Sequence, residues 1–316
     1  MIDFRYHLVS IISVFLALAV GIVLGAGPLQ ANLGDQLNDQ VAALRTEKQG
    51  LNDRLATSEK LVDASDEYAT AVQQRVVGGR LTGRRAVVVV LPAADGTMVT
   101  NLEEVVRQSG ASLTGTLSIG PDWFDAGRAA ERDQAARAGA TALGLDSKAT
   151  GDALLTELLT ALAVSKAATA TAPSTARTAA LKALVDADLV DTSVAELPTA
   201  DVAIVVSGDY AGEESVVTSR SDVVRSLVTA LAGSSRATVV AGGGTLAAAG
   251  QPVTSNAVQA IREKSETAGL AATVDHARAG DGPATVVLAL EDALDERIGH
   301  YGVEAGATAT VPRVLP

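Results

Sequence analysis

Between Leu8 and Leu24 the chain reads LVSIISVFLALAVGIVL, with no charge and only Ser10 and Ser13 polar. Lipid offers no partners to a bare backbone, so a run of this kind crosses a bilayer as a helix of about 20 apolar residues. The stretch from Tyr6 to Ala26 meets that requirement. A cleaved signal peptide has a shorter apolar region, about 7 to 15 residues, and a small-residue cleavage site. Here the apolar run is longer, no clean A-x-A site follows it and Pro28 sits beside the best cleavage point, so an uncleaved anchor is expected. Arg5 precedes the run with His7 beside it, whereas the next basic residue is Arg45. Asp3 offsets Arg5, but acids count little in the positive-inside rule. That rule makes residues 1–7 a cytoplasmic tail and 8–27 a single-pass anchor in the cell membrane. Everything after Gly27 is then extracytoplasmic, in the cell envelope.

Residues 28–77 read as a coiled coil. From Leu37 the spacing alternates four and three through Leu37, Val41, Leu44, Lys48, Leu51, Leu55, Ser58, Val62, Ser65, Ala69, Val72 and Val76. Charged and amide residues fill the positions between, as on the flanks of a heptad seam. Leu29, Leu33 and Leu37 recur every four residues instead, so the register shifts near the anchor. The seam residues expected to touch a partner are Leu37, Val41, Leu44, Leu51, Leu55 and Val62. The partner is a second copy or another helix; the alternative is one amphipathic helix lying on the C-terminal domain. Gly78, Gly79 and Gly83 then end the helix, and 78–85 reads as a hinge. Arg75, Arg80, Arg84 and Arg85 cluster there, either solvated or facing acidic groups of this chain or of an anionic partner.

Residues 86–316 alternate strand and helix. Strands are expected at Ala86–Leu91, Ser112–Ser118, Val202–Ser207, Thr238–Ala241 and Thr285–Leu290. Helices are expected at Thr97–Gln108, Asp152–Val164, Thr175–Val185, Ser221–Leu231, Ser255–Thr267 and Glu291–Ile298. Ala126–Ala142 reads as a helix or an exposed insertion, and 167–173 as a loop. Uniformly apolar strands separated by helices predict an α/β fold: a mainly parallel, doubly wound, Rossmann-like sheet with helices on both faces. Ligands of such sheets sit beyond the carboxyl ends of the strands. The turn residues there define a candidate crevice of Asp95, Gly208, Asp209, Gly242, Gly243 and Gly244. The triple glycine would let a phosphate or carboxylate reach backbone N–H groups. It is not G-x-G-x-x-G, no Walker A sequence is present, and glycines after strands also serve as ordinary turns.

Composition narrows the chemistry. The chain has no cysteine, which excludes disulfides, thiolate metal sites and a cysteine nucleophile. A formal charge of −12 and 3% aromatics argue against nucleic acid, which wants a basic and stacking surface. A Ser-His-Asp set could be assembled from His276 beside Asp275, and a carboxylate pair from Asp209, Glu213 and Glu214, but neither has a supporting motif. The segment Pro121-Asp122-Trp123-Phe124 carries the only Trp and reads as an anchor onto the sheet. No catalytic, cofactor-binding or metal-ligating residue is assigned, and a non-enzymatic protein is expected.

The opening MIDFRYHLVSIISVFLALAVGIVLGAGPLQ resembles the actinobacterial copper-transport outer-membrane protein family of the MctB type. Phe4-Arg5-Tyr6-His7, Phe15-Leu16-Ala17-Leu18 and Gly25-Ala26-Gly27-Pro28-Leu29 carry the match, with His300-Tyr301-Gly302 and Pro312 at the other end. The resemblance implies either copper export through the envelope or, from SteB-like members, a membrane-anchored regulator of cell division. That regulator pairs with a SteA-type partner and controls a peptidoglycan hydrolase. A pore needs several spanning helices or a closed barrel of strands about 9 to 11 residues long, whereas this sequence offers one apolar helix and short strands. Copper favours Cys and Met sulfur or imidazole, and beyond the anchor only Met98, His276 and His300 qualify. A coiled-coil scaffold or regulator is therefore the expected function, copper transport the alternative, and a small-ligand-binding domain the third reading.

Overall fold

The computed structural model describes residues 4–167, 172–243 and 253–313, without the side chains of 26–36, so Leu29 and Leu33 lie outside the described residues. It divides into two units, Met1–Ala64 and Ser65–Pro316. The helix α1 (Phe4–Val77) makes up the described part of the first unit and opens the second. In the first unit, Phe4–Gly25 is long and apolar enough to cross a membrane. Between Leu37 and Val62 the large apolar side chains of α1 are exposed.

The second unit begins with the last turns of α1, where Ala69, Val72 and Val76 become half-buried and Gln73 and Val77 buried. Then come β1 (Arg85–Val90), α2 (Gly96–Gln108), β2 (Ser112–Ile119), α3 (Ala129–Leu143), α4 (Gly151–Ala163) and α5 (Ser174–Val185). They are followed by β3 (Val190–Thr192), β4 (Val202–Ser207), β5 (Tyr210–Gly212), α6 (Glu214–Ser234) and β6 (Ala237–Gly242). The chain continues through β7 (Val253–Ser255), α7 (Ala257–Arg262), α8 (Ser265–Ala268), β8 (Ala272–Val274), α9 (Gly282–Leu294) and β9 (His300–Tyr301).

The main sheet has the order β3-β2-β1-β4-β6-β8-β9, parallel except for β3. Winding reverses between β1 and β4, which makes the sheet doubly wound. Side chains alternate between two cores as the period of a strand requires. Val87, Val89, Ala203, Val205 and Val240 face the layer that holds α4, α5 and α6. Ala86, Val88, Val202, Ile204, Val206 and Val239 face the layer of α2, α9 and Val77 of α1. With both faces covered, every residue of β4 and β6 is buried.

Three expectations need correction. Thr285–Leu290 is not a strand but the middle of α9, and Glu291–Ile298 is not a separate helix but its end and exit. Gly282 through Leu290 are all buried, so this helix is apolar all round and shows no amphipathic period. A short apolar run cannot be told from a strand on that evidence. Ser255–Thr267 is not one helix but β7, α7 and α8: Asn256 Oδ1 caps α7 by accepting from Gln259 N at 3.0 Å, and Lys264 is extended. Ala126–Ala142 is a packed helix rather than an insertion. Its Gly139 lies so close to α4 that a Cβ there would stand 2.4 Å from Leu158 Cδ2.

One buried ion pair fastens the last part of the chain. Arg262 Nη1 donates to Asp275 Oδ2 at 2.7 Å, and the two side chains are 4% and 1% exposed. Arg262 also donates to Thr273 Oγ1 (2.8 Å) and the Tyr301 carbonyl (2.8 Å). Asp275 accepts in addition from the N–H groups of Val303 (2.9 Å) and Glu304 (3.0 Å). Gly302 must be glycine here, because its φ is 132° and a Cβ would fall 1.9 Å from Asp275 Oδ1. Thr273 Oγ1 meets His300 Nδ1 at 3.0 Å, and burial, aided by the Arg262 charge, pulls the His300 pKa down. Burial also pushes the Tyr301 phenol up to about 12, where it donates to Asp292 Oδ2.

Removing one partner of a buried pair leaves the other charge uncompensated. Asp275→Ala should therefore destabilise the full chain by about 3–5 kcal/mol. Asp295→Ala, at an exposed ion pair with Arg297, should stay within about 0.5 kcal/mol. Chemical denaturation followed by circular dichroism measures both.

Candidate functional site

The crevice residues meet at the carboxyl edge of the sheet, around the reversal between β1 and β4. After β1 the chain turns through Ala93, whose φ is 68°, and reaches Asp95. Asp95 Oδ1 caps α2 by accepting from Met98 N at 3.0 Å. That bond, with a further one from Thr97 and the nearby Arg278 charge, holds the Asp95 carboxyl below its usual pKa against the opposing effect of desolvation. Gly208, after β4, lies directly under this turn. A Cβ there would stand 2.0 Å from Ala93 C and 2.4 Å from Ala94 N. At the reversal point the space beside Gly208 is thus filled by the chain's own backbone.

Asp209 Oδ1 accepts from Asn256 Nδ2 at 3.2 Å, and Ser207 Oγ accepts from Ala257 N at 2.8 Å. These bonds tie the end of β4 to the start of α7. Gly242 ends β6 and its carbonyl accepts from Ala277 N at 2.9 Å. Gly243 faces Arg278, whose guanidinium would lie 3.3 Å from an added Cβ, and Gly244 lies outside the described residues. Arg278 Nη2 stands 3.5 Å from Asp95 Oδ2. Asp95, Gly208, Asp209, Gly242 and Gly243 therefore share one edge. Asn256 and Arg278 join them from loops that sequence reasoning did not single out. Asn256 carried a signal, being an N-cap residue type ahead of an apolar helix; Arg278 carried none.

The catalytic candidates do not assemble among the described residues. His276 Nδ1 is 3.8 Å from Asp275 Oδ1, Nε2 is 3.7 Å from Asp281 Oδ2, and neither ring nitrogen makes a hydrogen bond. Asp275 is already committed to Arg262 and two backbone N–H groups. Glu213 and Glu214 stand in water at the start of α6, apart from the Asp209–Asn256 bond. No three His, Asp or Glu side chains gather as a metal cluster among the described residues. Met98 is buried in the core beneath α2. Trp123 is buried against the sheet, as an anchor should be.

The arginine cluster finds acidic groups of this chain. Arg80 Nη1 is 2.8 Å from Glu291 Oε2, and Arg84 Nη1 is 3.3 Å from Asp201 Oδ2. The seam candidates Leu37, Val41, Leu44, Leu51, Leu55 and Val62 lie along α1 with 40% to 63% of each side chain in water. Beyond Ser65 the same stripe turns to the domain: Ala69, Val72 and Val76 pack on it, and Asp66 Oδ1 accepts from Gly280 N at 2.8 Å.

A long helix with an apolar start, followed by a mostly parallel α/β domain, is the build of a membrane-associated protein. Comparison with known proteins says which kind. The chain belongs to the family described as "Copper transport outer membrane protein, MctB", whose model matches residues 1–312. It is 32% identical over 334 residues to the copper transporter MctB of Mycobacterium leprae, covering 99% of this chain and all of that one. It is 29% identical over 321 residues to the copper transporter MctB of Mycobacterium tuberculosis, covering 97% and 98%.

The two glycines of the edge should respond differently to a methyl group. Gly208→Ala drives a Cβ into backbone and should cost at least about 1–3 kcal/mol. Gly243→Ala meets only the far end of Arg278 and should stay within about 0.5 kcal/mol. Thermal melting of the full chain in detergent separates them.

Proposed function

We propose that this protein is a non-enzymatic, membrane-anchored scaffold of the cell envelope that self-associates through α1. The observation that carries this reading is the unpartnered stripe of Leu37, Val41, Leu44, Leu51, Leu55 and Val62 at heptad spacing. In water such a stripe is stabilised by a second helix, and burying one Leu contributes about 1.5–3 kcal/mol. In this reading residues 1–7 are cytoplasmic, 8–27 span the membrane and 28–64 form the free part of the rod. The expected hinge at 78–85 is instead seated on the domain by Leu81, Arg80 and Arg84, and all that follows the span is extracytoplasmic. Two copies anchored the same way would pair in parallel, with Lys48 and Ser58 setting the register as polar seam residues do. The finer role that the family resemblance suggests is regulation of a peptidoglycan hydrolase with a SteA-type membrane partner.

Leu44→Asp/Leu51→Asp places opposed carboxylates on the seam and removes two apolar contacts. It should abolish self-association, measured by chemical crosslinking and by sedimentation of the full chain in detergent, while the melting of the α/β domain stays unchanged. A double variant that still associates would sink the scaffold reading.

The name of the relatives favours a second reading, copper handling. Against it stand the positions of the donors: Met98 is buried, His300 Nδ1 is bonded to Thr273, and no three His, Asp or Glu side chains gather as a metal cluster among the described residues. Calorimetry of the full chain with Cu(II), and with Cu(I) under reductant, should show only weak, non-stoichiometric uptake. One tight site lost in His276→Ala or His300→Ala would favour copper instead.

A further inference from the structure

Arg220, in the second turn of α6, has its guanidinium carbon 4.7 Å from the ring centroid of Phe124 and 4.7 Å from that of Tyr210. Both distances lie within cation–π range. Phe124 comes from the turn after β2 and Tyr210 from the start of β5, and both are held from behind. The Tyr210 hydroxyl meets Ser221 Oγ at 2.8 Å, and Trp123, next to Phe124, is buried. Buried Arg132 donates to the carbonyls of Asp122 and Asp125 and so fixes the loop that carries Phe124.

An aromatic ring offers a guanidinium no hydrogen-bond acceptor in the guanidinium plane, so its N–H donors still want one. Among the described residues Arg220 has no such acceptor: it makes no hydrogen bond and no ion pair, and its Nε is buried without a partner. Burial pulls its pKa below the usual arginine value against an opposing pull from Tyr210. The guanidinium borders a cavity of about 440 Å³ whose wall is apolar at Phe124, Val216 and Val223 and carries hydroxyls at Ser215 and Ser219. The Asp125 carboxylate on the rim already accepts from Gly127 N at 2.8 Å. That volume lies in the range of small-molecule sites, which are mostly apolar with a few fixed polar groups.

We propose that this pocket binds a small organic carboxylate, its two oxygens on the N–H donors of Arg220 and its apolar body against Phe124, Val216 and Val223. The planar fork of an arginine matches a carboxylate in two-pronged fashion. One arginine and two hydroxyls on an apolar wall suit a single negative charge carried on hydrocarbon. A bare phosphate, more highly charged and fully hydrated, would need more donors.

The test uses the full chain in detergent with benzoate as the probe, and inorganic phosphate and benzyl alcohol as comparisons. Trp123, the only tryptophan, reports by fluorescence, and calorimetry gives the stoichiometry. Benzoate should bind one saturable site, with phosphate and benzyl alcohol each at least about tenfold weaker, because a charge-assisted hydrogen bond is worth that much. Arg220→Met should abolish benzoate binding. Arg220→Lys keeps the charge and loses the fork, and should weaken binding at least about tenfold with melting unchanged. This second variant decides the matter if the first fails to fold. No saturable benzoate site, equal binding by Arg220→Lys, or phosphate binding as tightly as benzoate would each overturn the proposal.

Discussion

A parallel sheet has no face to leave in water, and covering both faces of this one organises the whole α/β unit. One face is closed by α4, α5 and α6; the other takes α2, α9 and the last turns of α1, whose Val77 is wholly buried there. The rod's end is thereby part of the core. Arg80 and Leu81 extend this seat, through the ion pair to Glu291 and through full burial. The glycines at 78, 79 and 83 come after the helix has already entered the apolar layer.

Much of this was readable because uniform apolar runs bounded by turns signal strands buried on both faces. The runs AVVVV, VAIVV and ATVVAG gave β1, β4 and β6 to within a residue or two. The same rule misread TVVLAL, since α9 is enclosed on all sides and carries no polar face to mark its period. The strands β3, β5, β7, β8 and β9 have only two or three residues each, too few for any periodicity to register. At the candidate site, glycine and aspartate positions after strands were legible as turn chemistry. Their partners were not: Arg278 opposite Asp95, Asn256 opposite Asp209 and Arg220 between two rings depend on the loops meeting in space.

The apolar stripe of α1 was legible in the sequence, and the structure divides it in two. Up to Val62 its large side chains are exposed, and from Ala69 they pack on the domain that follows. Periodicity alone does not separate a free apolar stripe from one seated on a domain, because both show the same apolar face. Family membership fits a protein of this build in the envelope, while the chemistry usual for copper sites is scarce in its side chains. The polar groups at the carboxyl edge are largely engaged with one another, which makes that edge a structural joint.

Residues 66–77 have a mechanical consequence. A tether that reaches a domain through a slack peptide passes on no tension until the slack is drawn out. Here α1 is continuous into the core, and the Asp66 carboxylate holds the backbone of the β8–α9 loop at Gly280. Within the second unit these last turns of α1 belong to the same layer as α2 and α9. A load applied to residues 66–77 therefore meets the packed layer beneath the sheet, with no loose linker to absorb it.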